Sequence, residues 1–469
     1  MNRLKKTTLS IAAIATPIFT QAADPNVILI VVDDMGWKDL QIYGSDFHKT
    51  PAIDQLAADG VLFTDAYAAC TVSSPTRASL MTGKYPAKLH LTDWIEGWKM
   101  PEAKLQVPDW TMYLPAKEIT MADLFKRAGY KTIHIGKWHL GENPEYWPEN
   151  NGFDVNIGGW SKGSPFKNEK EGYNGYFTPY GNPRLKDGPQ GEYLTERLAS
   201  EACNFIGTST SQPFFLNLWF YNVHTPLQAK QNKIDYYAKL SDDSNLQKNP
   251  VYAAMVEHVD DAVKRVINVL KEKGLYDNTL IILTSDNGGL IGRGKNKITN
   301  NTPLRSGKGD IYEGGVRVPL IIKNLHQQQK GEVNHSPVIS IDFLPTLVDM
   351  VRLPATRKER KDFDGVSLKS LLTGKTKKLK RDAIFWHYPH YHIEGATPYS
   401  AVRYGDWKLI NTFEENKYEL YNLKEDIGER KDVASQNPGI TKKLTKELDK
   451  WRKNMKAQMP TVNPNVKSK

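Results

Sequence analysis

Short runs of apolar residues alternate with helical patterns along most of the chain. The apolar runs predict buried strands at residues 26–32, 132–135, 214–223, 279–284 and 316–322. Between them, the sequence predicts helices at residues 51–58, 120–127, 194–206 and 252–273. The first of these helices starts at Thr50-Pro51 and stops before Gly60, which are common start and stop signals. Strands that alternate with helices predict a largely parallel sheet with helices on both faces.

The pattern changes after residue 375. A basic connector precedes four short strand patterns, which lie at residues 383–386, 400–402, 407–410 and 418–421. An amphipathic helix pattern follows at residues 441–455. We therefore predict a larger α/β domain over residues 23–375 and a smaller C-terminal subdomain over residues 376–469, with an antiparallel sheet and a closing helix.

The first residues of the chain differ from both parts. Arg3, Lys5 and Lys6 precede an apolar run over residues 9–19, and small residues follow it. This order is typical of a cleaved secretory signal, which we place at residues 1–22. The run is too short for a comfortable membrane span, and no other segment approaches the required length. The sequence therefore predicts an exported, periplasmic protein without stable membrane insertion.

The charge of the chain bears on its partners. The formal net charge is +10, and removal of Arg3, Lys5 and Lys6 with the signal leaves +7 (10 − 3). A basic exported protein suits a polyanionic substrate. Residues 442–469 alone hold nine basic and two acidic side chains, so much of the excess belongs to one terminal segment. We find no zinc-finger, homeodomain or ribonucleoprotein pattern, so we expect no nucleic-acid partner.

Only two cysteines are present, Cys70 and Cys203. Two cysteines in an exported protein could pair, but the sequence does not show whether they are close, and a large core does not need the bond. Cys203 lies in the helix predicted at residues 194–206, where it is expected to be a small buried apolar residue. The pairing and the oligomeric state stay open.

The most informative stretch is residues 73–83, which read Ser-Ser-Pro-Thr-Arg-Ala-Ser-Leu-Met-Thr-Gly. Pro75 fits the first turn of a helix, where its missing N–H costs nothing, and predicts a helix over residues 75–82. The N-terminus of such a helix favours the binding of an anion. The spacing resembles the signature of type I sulfatases, S/C-x-P-x-R-x4-T-G, with Ser73 in the first place. Cys70 does not fit that place, because Val72 stands where the proline is required.

The resemblance covers nearly the whole chain after the signal and implies both a fold and a chemistry. The fold would be an alkaline-phosphatase-like α/β/α sandwich, with a large mixed, mostly parallel sheet and a smaller C-terminal subdomain. Ser73 would be converted to formylglycine (3-oxoalanine) by a maturation enzyme that accepts serine. The hydrated aldehyde would attack sulfur, form a sulfated enzyme intermediate and then eliminate sulfate. A plain serine hydroxyl, in contrast, is a weak nucleophile unless a base is held beside it.

Carboxylates follow two of the predicted strands. Asp33 and Asp34 come after the first strand, and Asp286 and Asn287 come after the strand at residues 279–284. Ligands usually bind at the carboxyl ends of parallel strands, and oxygen donors of this kind suit calcium. The resemblance implies that these four residues hold a calcium ion together with the residue at position 73.

Further blocks of the sequence match the family. Lys137 and His139 stand two residues apart after a strand, so they would point to the same side if extended. By resemblance, Lys137 contacts the sulfate and the modified residue, and His139 positions or deprotonates the hydrate. His224 and Lys308 would contact the sulfate and serve the leaving group, and Arg77 would add positive charge. Such a site neutralises the transferring group and protonates the departing alcohol.

Two segments with aromatic and polar side chains are candidates for sugar contacts. The candidate residues are His90, Asp93, Trp94, His387, His390 and His392. The spacing of the last three histidines fits no usual zinc pattern. Both segments resemble those of sulfatases that act on galacto-configured sugars. We expect a sulfated glycan substrate, with galactose sulfate of a carrageenan-like galactan first and N-acetylgalactosamine sulfate of a glycosaminoglycan second.

Three alternatives remain open at this point. Residues 159–163 match the G-x-S-x-G elbow of another hydrolase class, with Asp286 and His387 in triad order, but the polar loop that follows lacks the required helix. A phosphatase or phosphonate hydrolase of the same fold would differ only in the modification of Ser73. If Ser73 stays unmodified, the chain would bind sulfated glycans without cleaving them.

Overall fold

The computed structural model describes residues 24–209, 212–294, 296–325 and 328–466, so the signal predicted at residues 1–22 lies outside the described residues. The strands within these ranges are Asn26–Val32 (β1), Val61–Phe63 (β2), Ala66–Tyr67 (β3), Leu105–Gln106 (β4), Lys131–Gly136 (β5), Val155–Ile157 (β6), Lys167–Asn168 (β7), Tyr173–Asn174 (β8), Phe214–Trp219 (β9), Thr279–Ser285 (β10), Leu320–Lys323 (β11), Glu332–Asn334 (β12), Val338–Ile339 (β13), Ala383–Tyr388 (β14), Tyr399–Tyr404 (β15), Trp407–Thr412 (β16), Lys417–Asn422 (β17) and Thr461–Val462 (β18). The α-helices are Pro51–Ala58 (α1), Ser73–Thr82 (α2), Pro86–Leu89 (α3), Met121–Arg127 (α4), Leu194–Thr208 (α5), Gln231–Leu240 (α6), Pro250–Glu272 (α7), Glu313–Val316 (α8), Phe343–Met350 (α9), Arg357–Asp362 (α10), Lys369–Leu372 (α11) and Pro438–Met455 (α12).

Eight of these strands form one sheet in the order β12-β2-β11-β10-β1-β9-β5-β6. The neighbours β10, β1, β9, β5 and β6 are parallel. In contrast, β11 is antiparallel to both β10 and β2, so the large sheet is mixed and mostly parallel, as expected. The strand predicted at residues 316–322 is wrong at its start: it begins at Leu320, because the preceding residues form the short helix α8.

The central strand β1 is buried on both faces of the sheet. Val27 and Leu29 belong to one apolar cluster, and Ile28 and Ile30 belong to another, because successive side chains of a strand point to opposite faces. Helices α2, α4 and α9 contribute to the first cluster, and α1, α5 and α7 contribute to the second. The result is the three-layer α/β/α sandwich that the resemblance implied.

Local signals set the start of α4 and the end of α2. The Thr120 side chain accepts a hydrogen bond from the Asp123 N–H, and the Asp123 side chain accepts one from the Thr120 N–H, so two free donors at the start of α4 are satisfied. Gly83 ends α2 with φ of 67°, a left-handed conformation that glycine adopts at little cost. Helix α2 begins at Ser73 and not at Pro75, so Ser73 lies in its first turn.

The C-terminal sheet consists of β14, β15, β16 and β17, which are antiparallel neighbours in chain order. Leu444 and Leu448 of α12 belong to the same apolar cluster as Trp386 of β14. The indole N–H of Trp386 donates to the carbonyl of Ala68 at 2.8 Å. Since Ala68 comes just before α2, the C-terminal sheet packs against the segment that leads to Ser73.

A buried ion-pair network joins this sheet to α8, and it gives a stability prediction. The Lys408 ammonium lies 2.9 Å from carboxylate oxygens of both Glu313 and Glu429, and these side chains are fully buried. We expect Lys408→Met to lower the free energy of unfolding by about 3–5 kcal/mol, because the buried Glu429 loses the cation beside it and Glu313 is left with Arg317, at 3.3 Å. Urea unfolding measures the effect. Lys450→Met, on the exposed side of α12, is the control, and equal losses in both variants would contradict the prediction.

The two cysteines are not paired with each other. Cys70 is buried, Cys203 is half-buried, and both are free thiols. Burial raises the pKa of the Cys70 thiol to about 12, which keeps it protonated and unreactive. Within the described ranges, we find no helix with the length and apolar character needed to cross a bilayer.

Candidate active site

The site starts where two adjacent parallel strands end. Val32 of β1 pairs with Ser285 of β10, so the next residues, Asp33 and Asp286, lie side by side. The backbone N–H of Asp34 donates to Asp286 Oδ1 at 3.2 Å, which links the two strand ends. This is the edge of a parallel sheet at which ligands usually bind.

Two further strands end at the same edge on the other side of β1. The Asp33 N–H donates to the Asn222 carbonyl at 2.8 Å, and the Lys137 N–H donates to the Trp219 carbonyl at 2.8 Å. These bonds extend the sheet beyond β9 and β5. They place the Lys137 ammonium 2.7 and 2.8 Å from the two carboxylate oxygens of Asp33.

Helix α2 brings Ser73 between these strand ends. Its Oγ lies 3.1 Å from Asp33 Oδ1, 3.3 Å from Asn287 Oδ1 and 3.1 Å from Lys137 Nζ. The side chain is buried in the first turn of the helix, where backbone N–H groups lack helical partners and favour an anion. A nucleophile formed at position 73 would therefore lie between acidic side chains and a cation.

The acidic residues at the strand ends fit a metal ion. Each of Asp33, Asp34 and Asp286 offers a carboxylate oxygen, and these oxygens lie within 4.8 Å of one another in a buried cluster. The Asn287 amide adds a fourth oxygen, and its N–H group donates to Asp34 Oδ1 at 2.8 Å, which fixes its orientation. A set of three carboxylates and one amide oxygen suits a hard divalent cation such as calcium.

Basic side chains balance these carboxylates. Arg77 Nε and one of its terminal nitrogens each lie 2.8 Å from Asp286 Oδ2. Lys308 Nζ lies 2.8 Å from Asp34 Oδ2. With Lys137 beside Asp33, each carboxylate of the cluster therefore has at least one cation next to it.

The carboxyl groups of the cluster differ in pKa. Burial raises the pKa of Asp33 to about 8. Burial has the same tendency at Asp34, but the charges of Lys308 and the other nearby basic groups together outweigh it and hold the pKa of Asp34 below its ordinary value. At Asp286, burial also raises the pKa, but Arg77 and Lys137 together outweigh it and lower the pKa. Two carboxyls are thus held ionised, and a divalent cation would favour the ionised form of the third.

His139 is neutral and has one free ring nitrogen. Its Nε2–H donates to the Ile95 carbonyl at 2.6 Å, so Nδ1 carries a lone pair. Burial, helped by the charge of Lys137, lowers the pKa of His139 well below its usual value. Nδ1 is buried and has no hydrogen-bond partner among the described residues. Buried polar atoms are rarely without a partner, and an O–H group of a bound species would donate a hydrogen bond to this nitrogen.

His224 and Lys308 both lie next to Asp34, but the histidine is neutral and the lysine is charged. The Nδ1–H of His224 donates to the Thr225 carbonyl at 2.8 Å, and its Nε2 lies 3.7 Å from Asp34 Oδ2. Burial, together with the Lys308 charge, lowers the pKa of His224 to about 3. Burial also disfavours the Lys308 cation, but the nearby carboxylates, Asp34 first and then Asp33, together raise the pKa of Lys308 above its ordinary value. Lys308 is therefore the group with a proton to donate.

Three backbone positions in the site are left-handed although they are not glycines. Asp34, His139 and Ser306 have φ of 60°, 59° and 62°. Residues in this region cost energy and cluster at functional sites. Asp34 and His139 are site candidates themselves, and Ser306 stands two residues before Lys308, which agrees with the location of the site.

Two of the predicted sugar-contact residues, Asp93 and His390, lie close together next to the C-terminal sheet. Asp93 Oδ1 accepts hydrogen bonds from the Tyr388 hydroxyl at 2.7 Å and from the Trp94 N–H at 2.8 Å. The other carboxylate oxygen lies 4.0 Å from His390 Nδ1, and His390 Nε2 lies 2.8 Å from Thr92 Oγ1. Both residues are buried. They hold the segment at residues 92–94 in place, and their contact with a sugar stays a prediction.

The other three predicted histidines occupy different places. Both ring nitrogens of His387 are hydrogen-bonded within the protein, at 2.7 and 2.8 Å. The ring of His90 lies 3.1 Å from a backbone carbonyl close to the end of α12. His392 packs against Gly309, where a Cβ would lie 2.0 Å from its Nδ1. Of these three histidines, His392 is the one that the structure brings next to Lys308.

Two supporting residues were missed by the sequence analysis. The Tyr176 hydroxyl lies 2.8 Å from the His224 carbonyl and holds the loop of that histidine. Asp39 is buried and accepts hydrogen bonds from the Tyr252 hydroxyl at 2.6 Å and the Gly36 N–H at 2.7 Å, which fixes the loop after β1. Asp39 could have been noted as a third carboxylate in that loop, whereas the irregular stretch around Tyr176 gives no signal.

Residues 159–163 do not form a nucleophile elbow. They follow β6, but in the described part of the chain no helix starts between Ser161 and α5, so the strand-turn-helix context is missing. Gly163 packs against His139 instead, and a Cβ at this position would lie 2.3 Å from the imidazole Cε1. The glycine therefore leaves room for the imidazole ring.

Comparisons with known proteins place the chain in a family. Residues 25–353 match the family model described as Sulfatase, and residues 307–454 match the model described as N-sulphoglucosamine sulphohydrolase, C-terminal. A protein named Sulfatase from Formosa agariphila is 31% identical, over 91% of this chain and 88% of the relative. The human N-acetylgalactosamine-6-sulfatase is 30% identical, over 75% of this chain and 66% of the relative.

Two solved structures are similar to this chain over nearly its whole length. The crystal structure of Ps i-CgsB in complex with k-i-k-neocarrahexaose has a TM-score of 0.76 and 29% identity, with 94% of each chain covered. The phosphonate monoester hydrolase of Agrobacterium radiobacter, with a TM-score of 0.66 and 21% identity over 93% of this chain and 97% of that one, shares the fold alone. The family model spans most of the chain and includes the Ser73 signature and both acidic strand ends. The chain therefore belongs to the sulfatase family, as a type I, arylsulfatase-like sulfuric ester hydrolase.

Proposed function

We propose that this sulfatase hydrolyses sulfate esters of a sulfated polysaccharide or its oligosaccharides, with galactose sulfate in a carrageenan-like galactan as the preferred group. The observation that carries the chemistry is the position of Ser73, within 3.3 Å of Asp33, Asn287 and Lys137. The likeness to Ps i-CgsB, solved with a neocarrahexaose, favours the galactan. The 30% identity to N-acetylgalactosamine-6-sulfatases makes a glycosaminoglycan the second candidate.

The proposed nucleophile requires a modification of Ser73. A maturation enzyme that accepts serine would convert this residue to formylglycine, whose hydrate carries two hydroxyl groups. One hydroxyl would attack sulfur, and the other would later expel sulfate and restore the aldehyde. Asp33, Asp34, Asp286, Asn287 and the modified residue would hold calcium, which would supply positive charge to the sulfate oxygens.

The charges of the site suit a sulfate monoester. The three carboxylates of the cluster are offset by the cations of Arg77, Lys137 and Lys308. A divalent cation would therefore leave two positive charges in a buried site, which attracts an anionic ester and its transition state. His139 Nδ1 would accept a proton from the hydrate, and Lys308 Nζ would donate one to the departing alcohol.

The proposal includes export and a division of the chain. The signal at residues 1–22 would be removed and the mature chain would act in the periplasm on a sulfated glycan. Residues 23–375 would form the catalytic domain, and residues 376–469 would form the subdomain that overhangs the cleft. The packing of Trp386 against Ala68 supports this arrangement, since it brings the subdomain to the start of α2.

Two measurements test the proposal together. Mass spectrometry of the tryptic peptide that carries Ser73 should show a loss of about two mass units, since conversion to formylglycine removes two hydrogens. The matured protein should release sulfate from carrageenan oligosaccharides, and chondroitin sulfate oligosaccharides serve as the comparison. Unmodified Ser73 in protein from the native source would favour a glycan-binding protein. Activity confined to glucosamine or fucose sulfates would refute the galactan.

Lys308 gives a prediction about the leaving group. We expect Lys308→Met to lower kcat/KM for a sugar sulfate about 10²-fold more than for 4-nitrophenyl sulfate, because nitrophenolate departs without a proton. Initial rates on both substrates measure the difference. Lys297→Met, an exposed residue of the same loop, is the control. Equal losses on the two substrates would show that Lys308 is not the proton donor.

A further inference from the structure

We propose that Trp98 is a stacking platform for the sugar that adjoins the sulfated sugar in the substrate chain. This inference rests on the proposed function and adds a binding residue outside the sulfate and metal site. Trp98 is 40% exposed, and Met100 beside it is 45% exposed. Exposed aromatic side chains next to a site are candidates for ligand contact, and tryptophan often carries much of the binding energy.

The backbone of Ile95 ties this segment to the catalytic residues. The Ile95 N–H donates to Ser74 Oγ at 3.2 Å, and the Ile95 carbonyl accepts the Nε2–H of His139 at 2.6 Å. Ser74 is the neighbour of Ser73 in α2. Trp98 follows Ile95 by three residues, a span of at most about 11 Å. Trp98 is therefore close enough to His139 for its exposed side chain to contact a sugar bound next to the one at the sulfate site.

A buried carboxylate fixes the backbone of Trp98. The Asp93 carboxylate accepts hydrogen bonds from the Trp94 N–H at 2.8 Å and from the Trp98 N–H. It also accepts the Tyr388 hydroxyl at 2.7 Å, which anchors it to the C-terminal sheet. Asp93 thus closes the turn at both ends and holds it on the body of the protein.

The turn itself requires a glycine. Gly97 has φ of 80°, and a Cβ at this position would lie 3.1 Å from the Trp110 ring and 3.2 Å from Asp93 Oδ2. Trp110 is supported in turn by the ring of His390, at 5.7 Å between centroids. Trp98 is therefore presented on a packed turn, and a ligand need not order the backbone when it binds.

The chemistry of an exposed indole selects the ligand. Its flat apolar surface matches the C–H groups on one face of a pyranose ring, through apolar burial and weak C–H···π contacts. Such a platform makes no use of sulfate, so it suits the sugar ring itself. It would therefore distinguish a polysaccharide chain from a single sulfated sugar.

The test compares wild type and Trp98→Ala on carrageenan and chondroitin sulfate hexasaccharides and on a sulfated galactose monosaccharide, with released sulfate as the readout. We expect kcat/KM for the cleaved hexasaccharide to fall about 10- to 30-fold, mainly through KM, with a clearly smaller change for the monosaccharide. Trp98→Phe should recover most of the loss. Tyr236→Ala, which removes an aromatic side chain of α6 that is 49% exposed, is the matched control and should change neither value.

The outcomes separate this inference from the proposed function. An unchanged kcat/KM for the hexasaccharide, or equal losses on hexasaccharide and monosaccharide, would overturn the stacking role of Trp98 alone. If wild type cleaves 4-nitrophenyl sulfate but no saccharide, the proposed substrate is wrong and this inference falls with it. Circular dichroism of each variant checks the fold, and Trp98→Phe against wild type decides the matter if the alanine variant does not fold.

Discussion

Sulfatase turnover of the Ser73→Ala variant is expected to fall by about 10⁴-fold or more, while the fold stays that of the wild type. The substitution removes the Oγ that lies between Asp33, Asn287 and Lys137, which is the atom that the modification and the attack on sulfur require. Alanine is a better helix former than serine, so α2 should keep its first turn. Initial rates on 4-nitrophenyl sulfate and the thermal midpoint measure the two parts of this prediction.

Ser79→Ala is the matched control for this experiment. Ser79 is buried on the same helix, and its hydroxyl has no hydrogen-bond partner among the described residues. Its removal should therefore leave both rate and stability near the wild-type values. A similar loss of activity in both variants would point to damage of α2, and turnover by Ser73→Ala near that of wild type would refute the nucleophile.

The sequence was sufficient to predict that carboxylates gather at one edge of the sheet. Asp33 and Asp286 each follow a run of buried β-branched and other apolar residues, and parallel strands end at the same edge. The sequence does not show the register, in which Val32 pairs with Ser285. A shift of that register would move the two carboxylates apart, and only the packing of whole strands and helices decides it.

Other features depend on contacts that no local pattern encodes. The apolar run of β11 shows that the segment is buried but not in which direction the strand runs relative to its neighbour. Its antiparallel pairing with β10 could therefore not be predicted. The protonation states of His224 and Lys308 follow from their burial beside Asp34, which is distant in sequence from both. The turn that presents Trp98 depends on a carboxylate held by Tyr388 from another sheet. These are long-range effects of tertiary packing.

The Asp286→Asn variant is expected to lose turnover by about 10²- to 10³-fold and to lose its response to calcium. The substitution removes one of three clustered carboxylates and with it the negative charge 2.8 Å from Arg77. In the wild type, a chelator should lower activity and added calcium should restore it. Calcium at 100 times its Kd would add about 2.7 kcal/mol of stability, which raises the thermal midpoint. In Asp286→Asn, calcium should move the midpoint much less.

Asp260→Asn is the control that distinguishes loss of a calcium ligand from loss of a buried carboxylate elsewhere in the protein. Asp260 is buried and accepts hydrogen bonds from the Ala52 and Ile53 N–H groups at the start of α1. Its substitution should lower the free energy of unfolding, because one N–H group loses its acceptor, but the calcium-dependent shift of the midpoint should stay. A wild-type midpoint that does not respond to calcium would refute the metal site. A full shift in Asp286→Asn would remove Asp286 from the set of ligands, because a ligand carboxylate cannot be neutralised without weakening the affinity for the cation.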